Sequence, residues 1–168
     1  MILAVLKNYY RAAYKPLEYP KVVQFPVNDI CNSKCQMCNI WKNKKSPDID
    51  VNQARMIFSQ KLFHKTESIG INGGEPTLRK DLPELINALY ESMPKLKTIS
   101  LISNGYNNKD IKKILEQISA VVASHKGHFE FMLSIDGYEN IHDEVRGKEG
   151  NFKRIEDIIA FVKERNIV

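Results

Sequence analysis

Four short runs rich in β-branched and aromatic residues recur along this chain, each followed by a stretch with helical spacing. That alternation constrains the fold more than any other feature. The runs are KVVQFPV (21–27), SIGIN (68–72), KTISLIS (97–103) and FEFMLSI (129–135). After the first, Val51, Ala54, Ile57, Phe58 and Leu62 recur with the period of a helix; after the second, Leu82, Leu85, Ile86 and Leu89 do so. Ile111, Ile114, Leu115 and Ile118 follow the third run, and Phe152, Ile155, Ile158, Ile159 and Val162 the fourth. Asp50, Asp81 and Asn151 stand just ahead of these stretches and read as helix N-caps. Strand alternating with helix specifies βαβ units and a parallel sheet, so the expected class is α/β with four such units.

The 168 residues fit one domain, and 43% hydrophobic with 27% charged residues excludes a disordered chain. The expected division is an N-terminal helix or extension over 1–20 and a core domain over 21–168. Residues 43–48, NKKSPD, read as the loosest segment. Asn166, Ile167 and Val168 read as the opening of a fifth strand. A four-unit sheet stopping there would leave an edge bare, so the expectation is a fragment, a split subunit or a truncated product. The net charge of +5 comes from scattered lysines and reads as a solvated surface rather than a nucleic-acid face. No apolar run approaches the roughly 20 residues that span a bilayer. The opening MILAVLKNYYRAAY is a poor export signal and reads as an amphipathic helix packed on the protein. A cytoplasmic location is expected, where clustered thiols point to metal rather than to disulfides.

In parallel α/β folds ligands collect beyond the carboxyl ends of the strands. Chemistry-bearing residues fall there four times: Cys31, Cys35 and Cys38 after the first strand, NGGEP (72–76) after the second, SNG (103–105) after the third, and SIDG (134–137) then IHDEVRG (141–147) after the fourth. The three cysteines are all that the chain has. A C-x3-C-x2-C loop brings three thiolates to one cluster or ion. Structural zinc wants a fourth ligand, which would have to be His64, His125, His128 or His142. A four-iron cluster wants four cysteines, so three would leave one iron open. The open-iron cluster is the favoured reading, with zinc and unligated thiols as alternatives. Gly73 and Gly74 let the backbone approach a ligand, and Glu75 offers a carboxylate to an ammonium group. Ser134 and Asp136 share one side of a strand end and suit a diol. Arg146 suits a ligand carboxylate, or else pairs with Asp143 or Glu144. His142 reads as a turn or packing residue. Met37 and Trp41 are apolar neighbours that could exclude water or pack on a flat base.

Together the motifs CNSKCQMC, NGGEP, SNG and SIDG resemble the radical S-adenosylmethionine superfamily, from Val22 onward. The resemblance implies a partial TIM-like (β/α) barrel of which four of six βα units are present. It implies a [4Fe–4S] cluster on Cys31, Cys35 and Cys38, with S-adenosylmethionine on the open iron. Gly73, Gly74 and Glu75 match the segment that holds the methionyl amino group, and Ser134 and Asp136 match contacts to ribose or carboxylate. Arg146 matches a carboxylate-binding arginine of the peptide-modifying branch, which includes sulfatase-maturing enzymes. Ser103 and Asn104 match a strand-three motif near the ligand, and Met37 a residue near the adenine. The implied activity is reductive cleavage of S-adenosylmethionine to a 5′-deoxyadenosyl radical that takes hydrogen from an unidentified substrate: a peptide, a small molecule or RNA. An electron donor such as flavodoxin or ferredoxin is implied as well. The rival expectations are a cluster- and cofactor-binding module without turnover, and a zinc-binding structural module.

Overall fold

A computed structural model describes residues 3, 19–44 and 47–167. The expected N-terminal helix and the centre of the 43–48 segment therefore lie outside the described residues. The chain runs β1 (Val22–Pro26), α1 (Val51–Phe58), β2 (Ser68–Asn72), α2 (Leu82–Ser92), β3 (Thr98–Ser103), α3 (Asn108–Ser124), β4 (His128–Leu133), α4 (Asn140–Arg146) and α5 (Asn151–Arg165). The strands form one parallel sheet in the order β1-β2-β3-β4, so every crossover advances one place in the same direction. That is the winding of a (β/α) barrel, here an open four-stranded arc.

Alternation within each strand decides which face the helices cover. Phe25, Ile71, Leu101 and Phe131 pair in register across the sheet, as do Val23, Ile69, Ile99 and Phe129. Both rows pack into the core with Leu82, Leu85, Ile86 and Leu89 of α2, Ile111, Leu115 and Ile118 of α3, and Ile158 and Val162 of α5. Each fully buried aliphatic side chain there contributes on the order of 1.5–3 kcal/mol. The intervening positions carry Gln24, Gly70, Ser100 and Glu130 in one register row. This opposite face is mixed: Gln24 lies across Gly70 and accepts a hydrogen bond from Asn72 Nδ2 at 2.8 Å, while Ile102 and Met132 pair on the same face and stay exposed.

Asp50 caps α1 as expected. Its carboxylate accepts from Gln53 N at 2.8 Å, and the Gln53 side chain accepts from Asp50 N at 3.0 Å. Leu62 falls beyond α1, in a 3-10 turn over Lys61–Phe63. The other two expected caps differ. Asp81 makes no capping bond at α2 and instead holds Arg79 through two hydrogen bonds of 2.8 and 2.9 Å. Arg79 is buried and reaches Val27 O at 3.1 Å, so an ion pair outbids the cap. Asn151 is the first residue of α5 and wholly buried. The carboxylate of Asp143, on α4, accepts from Gly150 N and from Phe152 N at 2.5 and 2.8 Å and caps α5 in its place. At the other end Asn166 turns left-handed at φ 48° and closes α5, and Ile167 packs into the core, so no strand forms through 167. Among the described residues no helix is long and apolar enough to cross a membrane.

Candidate functional site

The loops leaving the four strands meet around one cavity of about 310 Å³. Its wall holds Cys31, Cys35, Met37 and Cys38 from the first loop, and Gly73, Gly74 and Glu75 from the second. Ser103 and Asn104 come from the third, Ser134, Asp136 and Arg146 from the fourth. Every residue matched above to a cluster or cofactor contact thus lines a single space. Ile40 and Ile102 complete the wall, whereas Trp41 is not part of it and sits against Lys34 and Lys42. None of the four histidines lines it. His64 contacts Ser59, His125 contacts Asn87, and His128 pairs with Glu130. Among the described residues no three His, Cys, Asp or Glu side chains converge as a single-ion site.

The glycines do their work against the chain itself. Gly73 sits at φ 140°, where a Cβ would lie 2.5 Å from Asn28 O, and a Cβ on Gly74 would run into the Ile30 carbonyl. The close approach allows Gly74 N to donate to Asn28 O and Asn28 Oδ1, both at 3.1 Å, and Glu75 N to donate to Ile30 O at 2.8 Å. Asn28 Nδ2 returns a bond to Glu75 O at 2.8 Å. The NGGEP turn is therefore knitted to the segment that presents Cys31.

Glu75 is 1% exposed, and its carboxylate is occupied by neutral donors of this chain. Oε1 accepts from Thr77 N (3.1 Å), Thr77 Oγ1 (2.5 Å) and Ser103 Oγ (2.8 Å); Oε2 accepts from Asn104 N (2.7 Å). Each carboxylate oxygen has two lone-pair sites; the three donors crowd Oε1, and Oε2, with a single donor, keeps one site. Glu75 thus clamps the second loop to the third.

Asn104 is the next link. Its Oδ1 accepts from Tyr106 N at 2.9 Å, which turns Nδ2 toward Asn32 Oδ1 (2.8 Å) and Cys31 Sγ (3.5 Å). Its carbonyl accepts from Asn151 Nδ2 at 3.0 Å, and the same amide meets His142 Nε2 at 3.1 Å. His142 is wholly buried and its Nδ1 accepts from Asp136 N at 3.2 Å, which is the packing role expected for it. Burial, and then the nearby Arg146 cation, push the His142 pKa down from its ordinary value.

Arg146 pairs with Asp136 rather than with Asp143 or Glu144, and its Nη1 lies 3.6 Å from Cys35 Sγ. Asp143 is engaged at the start of α5. The end of α4 is laced to the cysteine loop by Lys34 N donating to Arg146 O (3.1 Å) and Gln36 N to Val145 O (2.9 Å). All three cysteines are free thiols, with Cys35 buried. Burial pushes the Cys31 thiol up, against the pull of hydrogen bonds from Ser33 and Asn104. Asn28, Thr77 and Asn151 were not legible as site residues: a single Asn or Thr beside a strand end carries no pattern of its own.

Residues 25–168 match the family model "Radical SAM superfamily". The sporulation killing factor maturation protein SkfB of Bacillus subtilis is 31% identical over 145 residues, covering 84% of this chain and 32% of that protein. The GTP 3',8-cyclase of Pasteurella multocida is 29% identical over 138 residues, 78% of this chain and 41% of the relative. The chain thus spans well under half the length of these two relatives. Among solved structures, anSMEcpe with bound AdoMet superposes with a TM-score of 0.65 at 23% identity, over 87% of this chain and 41% of that one, a likeness of fold.

Proposed function

The chain belongs to the radical SAM superfamily, and from that premise we propose that it holds a [4Fe–4S] cluster and S-adenosylmethionine in the cavity above the sheet. The observation that carries the reading is the convergence of three free thiols with residues from all four strand-end loops on one space. The donor set suits the group: N–H donors approach the sulfurs of Cys31 and Cys35, and no histidine stands on the wall to complete a zinc site. When bound, the reduced cluster supplies the electron that splits S-adenosylmethionine into methionine and a 5′-deoxyadenosyl radical, which takes hydrogen from a substrate.

This chain's residues bind, orient and shield. Cys31, Cys35 and Cys38 would hold the cluster. The backbone of Gly73 and Gly74, with the remaining Oε2 lone pair of Glu75, would take the methionyl amino group. Arg146, shared with Asp136, would take the carboxylate; Ser134 and Asp136 would take ribose hydroxyls. Met37, 62% exposed at the cavity mouth, would cover the adenine with Ile40 and Ile102 as apolar walls. Ser103 and Asn104 would hold the loop that carries these groups. Residues 21–168 would form the core domain, and an external donor of the flavodoxin or ferredoxin kind would supply the electron. A peptide is the favoured substrate class, in line with the Bacillus subtilis relative, a maturation protein for a sporulation killing factor.

The test is anaerobic loading with iron and sulfide, reduction with dithionite, and assay for methionine and 5′-deoxyadenosine. Both products in wild type, and neither in Cys31→Ser, Cys35→Ser or Cys38→Ser, are expected. A second reading is a loaded module without turnover. It predicts full iron content with no products. A colourless protein carrying one zinc would overturn both.

A further inference from the structure

Two nitrogen donors, one from the third loop and one from the fourth, reach sulfurs of the cysteine loop, and the cofactor contacts proposed above do not require either bond. Arg146 Nη1 lies 3.6 Å from Cys35 Sγ, and Asn104 Nδ2 lies 3.5 Å from Cys31 Sγ. Neither side chain is free to swing. Arg146 is 14% exposed, ion-paired to Asp136, and anchored through its carbonyl to Lys34 N. Gly147 follows at φ +61°, where a Cβ would lie 2.7 Å from Lys34 O, so α4 closes tightly on the cysteine loop. Asn104 is fixed by Glu75 Oε2, Tyr106 N and Asn151 Nδ2.

Resting on the function proposed above, we propose that Arg146 and Asn104 are positioning residues that set the reduction potential of a cluster bound by Cys31, Cys35 and Cys38. One-electron reduction adds one negative charge, shared by the irons and their sulfur ligands. A cation and N–H groups at those sulfurs favour the reduced form and raise the potential. The Arg146 bond is charge-assisted and has the larger effect. Asp136 opposes it, because its carboxylate offsets the guanidinium charge beside Cys35. The trio therefore makes a prediction with opposite signs at neighbouring residues, which a purely structural role does not make.

The experiment compares wild type with Arg146→Gln, Arg146→Lys, Asn104→Ser and Asp136→Asn, all loaded anaerobically with iron and sulfide to the same iron content. Each is titrated with dithionite without S-adenosylmethionine, followed by visible absorbance and electron paramagnetic resonance. The midpoint is expected to move to more negative potential in R146Q, less so in R146K and N104S, and to more positive potential in D136N. Coincident midpoints for wild type, R146Q and D136N at equal loading overturn the inference, and so does a shift of one sign in both. If R146Q does not load, the R146K, N104S and D136N midpoints carry the comparison, and their coincidence with wild type overturns it. Failure of wild type to load any cluster removes the functional reading itself, a result distinct from these.

Discussion

Replacing Glu75 by Gln isolates the clamp between the second and third loops. The amide has nearly the shape of the carboxylate, so packing is kept and only donors and acceptors change. Glu75 is 1% exposed and accepts bonds from Thr77 N, Thr77 Oγ1, Ser103 Oγ and Asn104 N. If the amide oxygen takes the Oε1 position, the NH2 group faces the Asn104 N–H. If it takes the other, the NH2 group faces the Thr77 N–H, although both hydroxyls can rotate to accept. Either way one buried backbone N–H loses its acceptor, at a cost of about 1–3 kcal/mol. Relief of a buried charge works in the other direction and keeps the loss within that range. For a domain of this size the melting temperature should fall by about 2–12 °C. The assay is thermal and urea unfolding of the metal-free protein, followed by circular dichroism. Unfolding free energies of wild type and E75Q that agree within about 0.5 kcal/mol, the scatter of an ordinary surface change, would refute the clamp.

Gly74→Ala drives a methyl group into the Ile30 carbonyl; it should destabilise by about 1–3 kcal/mol and reduce iron uptake on reconstitution, read by iron analysis of the folded fraction. Asp50→Ala removes the reciprocal capping box of α1 and should cost about 0.5–2 kcal/mol by urea unfolding without altering iron uptake. The His142 pKa is pushed below its ordinary value first by burial and then by Arg146. The unfolded state therefore binds the proton more readily. The stability His142 contributes is complete above its ordinary pKa of about 6.5 and is lost as pH falls below it. Urea titrations from pH 8 to pH 5 should show this decline, and His142→Gln should flatten that part of the curve.

The α/β class was legible because strand and helix periods alternate without ambiguity. In SIGIN, TISLIS and FEFML the helix-covered face was not legible from apolar positions alone: Ile69, Ile71, Ile99, Leu101, Phe129 and Phe131 turn to it, but the equally apolar Ile102 and Met132 fall on the other face. The cavity wall was legible because parallel strands deliver their carboxyl ends to one side, so four local motifs had to meet. The helix starts were less legible. Asp81 and Asn151 have the right residue type for a cap, but Arg79 and the Asn104–His142 pair compete for them, and those partners come from tertiary packing. Glu75 was read as a carboxylate for a ligand; the three donors on its Oε1 come from 77 and 103, which sequence spacing alone does not bring together. Gly73 and Gly74 were read as a close backbone approach to a ligand; the close approach seen is to the chain's own Asn28–Cys31 segment, which no local pattern announces.

The central claim is that three cysteines leave one iron open for S-adenosylmethionine. Electron paramagnetic resonance of the reduced, iron- and sulfide-loaded protein, recorded with and without S-adenosylmethionine, tests it most directly. The account predicts a reduced [4Fe–4S] signal whose g-values shift when S-adenosylmethionine is added. A fully loaded protein whose signal is identical with and without S-adenosylmethionine would contradict it.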